Sequence, residues 1–189
     1  KSFKEIMTII YAGEHLPLKS KFSIFLAGPT PRRADVRSWR PELINALNKA
    51  GFTGDIFAPE NRVLGSPYDF DQQIPWEVNG LYQSDLVVFW IPRDLQDMPG
   101  FTTNIEYGEW MHSGKIVVGF PQNAINTRYI KKRCEMNQTP LFHSIEELAD
   151  YVCRYEKKFT KWYNVLIRKI FFFSKKLCCN RSSFFKKIK

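Results

Sequence analysis

The segment that decides the fold is DLVVFWIP, residues 85–92, which is apolar from its second residue onward. A strand with one face in water alternates apolar and polar residues. An unbroken apolar run of this length is typical of a strand that is covered on both faces. The sequence therefore predicts that residues 85–92 form a central strand of a sheet with other elements packed on both sides.

Further predicted strands and helices alternate around this segment. The predicted strands cover residues 22–27, 55–60, 115–120 and 140–144. The predicted helices cover residues 35–51, 76–84, 102–110 and 144–158. Residues 121–139 are predicted to be mainly loops, and residues 1–10 an added strand or helix. Alternating strands and helices predict an α/β fold, a parallel sheet flanked by helices.

The positive charge of the chain is concentrated at its C-terminal end. The 189 residues carry a net charge of +9, but residues 154–189 contain 12 Lys and Arg and one acid, which leaves 16 basic and 18 acidic residues in the remainder. We therefore predict a near-neutral domain over residues 1–156 and a basic, aromatic-rich C-terminal tail over residues 157–189. The charge indicates partners of the tail and not the chemistry of the domain.

The four cysteines and three histidines form no pattern of a metal site. Cys134, Cys153, Cys178 and Cys179 include no CxxC pair, and no histidine lies at ligand spacing from them. We expect neither a metal nor another cofactor. The cysteine usage and the absence of a visible signal peptide lead us to expect a cytoplasmic protein, peripheral to a membrane if the tail binds one.

Three acids are candidates for one cleft: Glu77, Asp97 and Glu106. Parallel sheets bind ligands beyond the carboxyl ends of their strands, and the loops after the first, central and following strands share that edge. Paired carboxylates suit the cleavage of a glycosidic bond, because one can attack the sugar carbon while another group handles the leaving-group proton. The simpler alternative is that Glu106, predicted in the first turn of its helix, only stabilises the helix dipole.

Four segments in this order and spacing resemble the nucleoside 2-deoxyribosyltransferase-like proteins. They are SIFLAGPTPR, SWRPEL, IPWEVNGLYQSDLVVFWIPR and PGFTTNIEYGEWMHSGKIVVG, between residues 22 and 120. The resemblance implies a flavodoxin-like or Rossmann-like α/β domain and a retaining double displacement on a nucleoside or nucleotide. The sugar is then held as a covalent ester and passed to a second base by a transferase, or to water by an N-hydrolase.

The resemblance also implies roles for individual residues. Glu106 matches the nucleophile, and Glu77 matches the acid that contacts the base and helps to move its proton. Asp97 matches a second acid in the loop before the nucleophile, with Asp94 as the alternate. Phe25 stands where many of the transferases have a tyrosine near the nucleophile.

Other residues are candidates for substrate binding. Asn104 is a candidate to contact the sugar hydroxyls. Trp76, Trp90 and Phe101 are candidates to stack on a base, and the alternative is ordinary packing in the core or at the rim, which is favoured for Trp90. The first loop offers backbone N–H groups and guanidinium groups to a phosphate, and the alternative is a solvated basic loop. The candidates in that loop are Gly28, Pro29, Arg32, Arg33 and Ser38.

Two questions stay open at the level of sequence. A basic segment with aromatic residues suits an anionic membrane surface, a nucleic acid, or a helix packed on its own or a neighbouring protein. The cleft itself could belong to an active enzyme or to an inactive sensor that binds a nucleotide, because a fold does not establish chemistry. The resemblance further implies a homo-oligomer.

Overall fold

The computed structural model describes residues 6–18, 22–33, 35–62 and 69–185, with side chains as far as Val165. Its sheet has six parallel strands in the order β1-β3-β2-β4-β5-β6. The strands are β1 Thr8–Tyr11, β2 Ser23–Ala27, β3 Asp55–Ala58, β4 Leu86–Trp90, β5 Ile116–Gly119 and β6 Leu141–Phe142. The helices are α1 Arg40–Ala50, α2 Phe70–Gln83, α3 Phe101–Trp110, α4 Arg128–Asn137 and α5 Ile145–Phe185. This Rossmann-like α/β sheet confirms the predicted fold class.

The order of the strands places a crevice between β2 and β4. The chain leaves β2 for β3 on one side and leaves β4 for β5 on the other, although β2 and β4 are hydrogen-bonded neighbours. Connections that diverge from adjacent strands open a gap beyond their carboxyl ends, which is where such sheets bind ligands. All five residues of each of these two strands are buried, as the apolar run of residues 85–92 predicted.

The helix α2 packs closely on the face of β2 that points toward the crevice. Phe25 of β2 is fully buried in the same apolar cluster as Phe57, Val87 and Tyr107. A Cβ added to Gly80 of α2 would lie 3.0 Å from two atoms of the Phe25 ring, so the absence of a side chain permits this approach. The close packing fixes the position of α2 over the sheet.

Two helices begin at other residues than those predicted. Asp69 caps α2 by accepting hydrogen bonds from the backbone N–H groups of Asp71 and Gln72, so the helix starts six residues early and contains Pro75. Helix α1 begins at Arg40 instead of Asp35, with a proline in its first turn, a residue that favours a helix start.

The helix α4 was not predicted, and the expectation of loops over residues 128–137 was wrong. Only Ile130 and Cys134 of this helix are buried. One pair of apolar residues four positions apart makes too narrow a stripe for a helix to be recognised from its periodicity.

The prediction that Glu106 lies in the first turn of its helix was wrong. It lies in the second turn of α3. The helix begins at Phe101 behind Gly100, which has a left-handed backbone with φ 67° and provides no side-chain cap. The helix dipole acts mainly on the first turn. A capping role therefore does not account for Glu106.

The chain divides into two compact units, Lys1–Cys153 and Arg154–Lys189. In the first unit, the Ser144 hydroxyl accepts a hydrogen bond from the backbone N–H of Glu147 at 3.2 Å and so caps the start of α5. In the second unit, the rings of Phe159 and Tyr163 stack at 6.3 Å. The predicted contacts of the tail depend largely on side chains after Val165, which lie outside the described residues.

Candidate active site

A cavity of about 430 Å³ opens at the carboxyl edge of the sheet, at the crevice between β2 and β4. Its lining comes from the loop after β2, from α2 and from the first two turns of α3. Glu77 and Glu106 both face it, one from each helix. The volume falls in the range of roughly 300–1,000 Å³ that is typical of small-molecule sites.

Burial raises the pKa of both carboxylates, and Glu77 raises that of Glu106 further. Burial raises the pKa of Glu106 to about 8, the negative charge of Glu77 adds to this effect, and the positive charge of Arg40 opposes it. Burial also raises the pKa of Glu77, while a hydrogen bond of 2.6 Å from the Gln73 amide to its Oε1 lowers it. The pair therefore retains a proton near neutral pH.

The loop after β2 is built to approach β4 closely. Gly28 has φ 151°, and a Cβ at this position would lie 2.1 Å from the carbonyl oxygen of Trp90. The indole N–H of Trp39 donates to the carbonyl of Pro29 at 2.9 Å. These contacts hold Gly28 and Pro29 in the wall of the cavity, and they require a residue without a side chain at position 28.

Six of the predicted site residues line this cavity together. They are Gly28, Pro29, Arg32, Glu77, Phe101 and Glu106. The guanidinium group of Arg32 lies 5.5 Å from the centre of the Phe101 ring, which also lines the cavity and is 66% exposed. A cation and an exposed aromatic ring therefore stand beside the carboxylate pair.

Two predicted aromatic contacts lie in the core and not in the cavity lining. Phe25 is fully buried, with its ring 6.3 Å from that of Trp76. Trp76 is also buried, and its indole N–H donates to the carbonyl of Glu14 at 2.7 Å. Neither ring is available to a substrate in this conformation.

Asp97 and its alternate Asp94 form a turn outside the cavity lining. The Asp94 carboxylate accepts from the backbone N–H of Asp97 at 2.8 Å, and the Asp97 carbonyl accepts from the N–H of Arg32 at 2.9 Å. Asp97 therefore helps to hold the Arg32 loop in position.

Three further candidates also lie outside the lining. The Ser38 hydroxyl donates to Glu60 at 2.5 Å, and the exposed Arg33 pairs with Asp35. The amide oxygen of the exposed Asn104 accepts from Arg93. Each has a protein partner and none contributes to the cavity wall.

Sequence reasoning missed Gln73 and Arg40. The contact of Gln73 with Glu77 could not be predicted, because the predicted helix began at Trp76. In the structure α2 begins at Phe70, which places Gln73 one turn before Glu77. Arg40 is 1% exposed, unlike the exposed arginines of the loop before it. The signal in the sequence was its place in the SWRPEL segment, directly before a proline that starts a helix.

The described residues contain no group of three or more side chains that could hold a metal ion. Within the same part of the chain, no helix combines the length and the hydrophobicity that a bilayer-spanning segment needs.

Comparison with known proteins places the chain in a family. No curated protein matches it significantly. Among solved structures, a crystal structure described as a conserved protein from Enterococcus faecalis V583 is similar over 68% of this chain and 95% of that one, with 17% identity and a TM-score of 0.47. The family model described as nucleoside 2-deoxyribosyltransferase like matches residues 21–124, which include the cavity loop, both carboxylates and the strands between them. The chain belongs to the nucleoside 2-deoxyribosyltransferase-like family.

Proposed function

We propose that this protein cleaves the N-glycosidic bond of a nucleoside or nucleotide through a covalent glycosyl ester on Glu106. The observation that carries the proposal is the pair of carboxylates, Glu77 and Glu106, which face one cavity from two helices. Burial raises the pKa of both, and the charge of Glu77 raises that of Glu106 further. A like-charged pair in a cleft costs folding free energy, and such pairs are concentrated at functional sites.

The chemistry requires one ionised and one protonated carboxyl group. The carboxylate oxygen of Glu106 forms a bond to the anomeric carbon as the bond from that carbon to the base nitrogen breaks. The departing base accepts a proton, which Glu77 is placed to supply. Positive charge developing on the sugar favours the anion of Glu106, so the proton that the pair retains moves to Glu77.

The second half of the reaction regenerates the enzyme. A second base or a water molecule attacks the anomeric carbon, the ester bond to Glu106 breaks, and the proton of the attacking group returns to Glu77. The acceptor decides between a transferase and an N-hydrolase. The same two carboxylates serve both outcomes.

The cavity mouth supports an aromatic substrate that carries a phosphate. Phe101 offers an exposed ring to a base, and Arg32 beside it offers a guanidinium group to a phosphate. Neither Asp97 nor Asn104 is needed for this assignment, since both lie outside the lining.

The test is an assay of the purified full chain against nucleosides and their 5′-monophosphates, with and without a second free base. We expect base release or exchange, and at least about a 10³-fold loss of kcat in Glu106→Gln, because the amide cannot form the ester. The matched control is Glu109→Gln, an exposed glutamate on the same helix that should stay within about threefold of the wild type.

The same assay separates the alternatives. Base release without a second base identifies an N-hydrolase, and exchange that requires it identifies a transferase. Full activity in Glu106→Gln would contradict the proposed nucleophile. Silence across the panel together with a thermal shift from one nucleotide would favour a sensor.

We further propose that the chain forms a homo-oligomer through the outer surface of α2 and α3, the α2–α3 surface. Six large apolar side chains on it are each at least 45% exposed: Phe70, Ile74, Val78, Tyr82, Phe101 and Ile105. Phe70, Ile74 and Phe101 also line the cavity, so a partner subunit on this surface would lie beside the cavity mouth. By ordinary side-chain areas they present roughly 700 Å², above the patch of about 300–600 Å² on a typical monomer. Neither helix contains a lysine or arginine, so an anionic partner is not favoured.

Light scattering after gel filtration tests this surface. We expect an oligomer for the wild type and a smaller species for Ile105→Arg, because a buried unpaired charge opposes association. Met136→Arg, at a residue of α4 that is 68% exposed, should keep the wild-type mass. A monomeric wild type at tens of micromolar would contradict the proposal.

A further inference from the structure

The guanidinium group of Arg40 is enclosed directly behind the cavity wall. Its Nε donates to the carbonyl of Leu26 at 3.1 Å, and its Nη2 donates to the carbonyl of Gly28 at 2.9 Å. Its Nη1 donates to the Thr30 hydroxyl at 3.2 Å. Gly28 and Thr30 both line the cavity, so one side chain holds the end of β2 and the following loop in place.

Glu60 is the partner that neutralises part of this buried charge. Its Oε1 accepts from Arg40 Nη1 at 2.6 Å and from the Ser38 hydroxyl at 2.5 Å. Glu60 is 8% exposed and follows β3, so the pair joins the ends of two neighbouring strands. Replacement of such a pair by apolar residues is often neutral for stability, so packing alone does not account for its presence.

The charges around the carboxylate pair come from every element that packs on it. Helix α2 supplies Glu77, helix α3 supplies Glu106 and Glu109, helix α1 supplies Arg40, and the loop after β2 supplies Arg32 at the mouth. Among them Arg40 favours the ionised form of both Glu77 and Glu106. It is the buried cation that offsets their mutual repulsion.

We propose that Arg40 is a positioning residue for the proposed reaction. It holds the Gly28–Thr30 wall by hydrogen bonds and acts as the counter-ion of the Glu77–Glu106 pair. The negative charge of Glu60 weakens the electrostatic effect of Arg40 on that pair. The inference deepens the proposed function and assigns a role to two buried residues that touch no substrate. Their charges act on the nucleophile through the wall.

Two variants with opposite expected effects test this role. Glu60→Gln retains an oxygen acceptor for Arg40 but removes the negative charge, so the field of Arg40 on the pair grows and the carboxyl titrations move down by about 0.5–1 pH unit. The double variant Arg40→Met/Glu60→Leu removes both charges, so the same titrations move up. The readout is the ¹³C NMR titration of glutamate carboxyl carbons in the full chain without substrate, assigned with Glu77→Gln and Glu106→Gln.

The control separates the counter-ion role from a packing role. Arg40→Lys retains the charge and loses the planar hydrogen bonds, so we expect titrations near the wild type but a KM raised about 5–50-fold because the wall is loosened. A packing role alone would shift the titrations of Glu60→Gln and of the double variant in the same direction or not at all, and either result overturns the proposal. Because the titration needs no turnover, its outcome is independent of whether the glycosidic activity is found.

Discussion

Lys115 and Glu106 are partly buried charged side chains at opposite edges of the sheet, and their surroundings differ. At the amino edge, Lys115 Nζ donates to the carbonyls of Leu81, Tyr82 and Ser84 at 2.8–3.0 Å. Its ammonium group also lies 4.5 Å from the centre of the Trp110 ring. Burial lowers the pKa of Lys115, but every donor of the ammonium group has a partner.

At the carboxyl edge, Glu106 faces a like charge. Burial and Glu77 raise its pKa to about 8. A buried charged group whose hydrogen bonds are all satisfied stabilises the folded state. A buried group whose charge is opposed by its neighbours costs folding free energy, which a bound ligand can recover. The contacts of Lys115 therefore stabilise the amino edge, whereas the surroundings of Glu106 favour the functional role that we propose for the carboxyl edge.

The largest expected effect on stability is at the amino edge. Lys115→Met removes the ammonium group from the three carbonyls at the end of α2, which lowers the free energy of unfolding by about 2–3 kcal/mol. The proposed base-release or exchange activity should keep its kcat within about twofold, since the change is at the edge opposite the cavity. Urea unfolding monitored by circular dichroism measures the first quantity, and the nucleotide assay measures the second.

Lys49→Met is the matched control for this comparison. Lys49 lies in the last turn of α1 and is exposed, so its removal should cost less than about 0.5 kcal/mol. Equal losses in the two variants would mean that the carbonyl contacts of Lys115 contribute nothing beyond an ordinary surface charge.

The sequence predicted the sheet more completely than the site, for a physical reason. The burial of the strand over residues 85–92 could be predicted from its own sequence, because a strand with apolar neighbours on both faces needs an unbroken run of apolar residues. The burial of Arg40 is harder to predict, since it depends on the carbonyls of Leu26 and Gly28 at the end of β2 and on the carboxylate of Glu60 after β3, which only the folded sheet brings together. Glu106 was identified by the resemblance, but its pKa depends on Glu77, which reaches it only through the packing of two helices.

Some predicted residues failed to reach the cavity for a similar reason. Side chains along a strand point alternately to the two faces of the sheet. This alternation places Phe25 on the face covered by Gly80 of α2, in the apolar core. Ser38 is close to the cavity loop in sequence, but its hydroxyl is taken by Glu60. Proximity along the chain identified the right loop and not the direction of each side chain.

A smaller effect of the opposite sign is expected at the carboxyl edge. The folded pKa of Glu106 is about 8 and its ordinary value is 4.5, so between these values the folded protein binds more protons than the unfolded chain and loses stability as the pH rises. Glu106→Gln removes this loss. We therefore expect the variant to be more stable than the wild type by about 1–2 kcal/mol at pH 8, less than the full shift implies because the cavity admits water, with the difference vanishing below pH 4.5.

Thermal unfolding of both proteins between pH 4 and pH 9 measures this difference, with Glu109→Gln as the exposed control on the same helix. The control should stay close to the wild type, with only a small gain at pH 8, because the charge of Glu109 is the smallest of the contributions to the pKa of Glu106. A Glu106→Gln variant that is less stable than the wild type at pH 8 would mean that the carboxylate is held by favourable contacts, as Lys115 is. The two edges would then be alike, and Glu106 would not store free energy for the proposed catalysis. A gain that grows from pH 5 to pH 8 would instead link the stability cost of the site to the same ionisation that its chemistry needs.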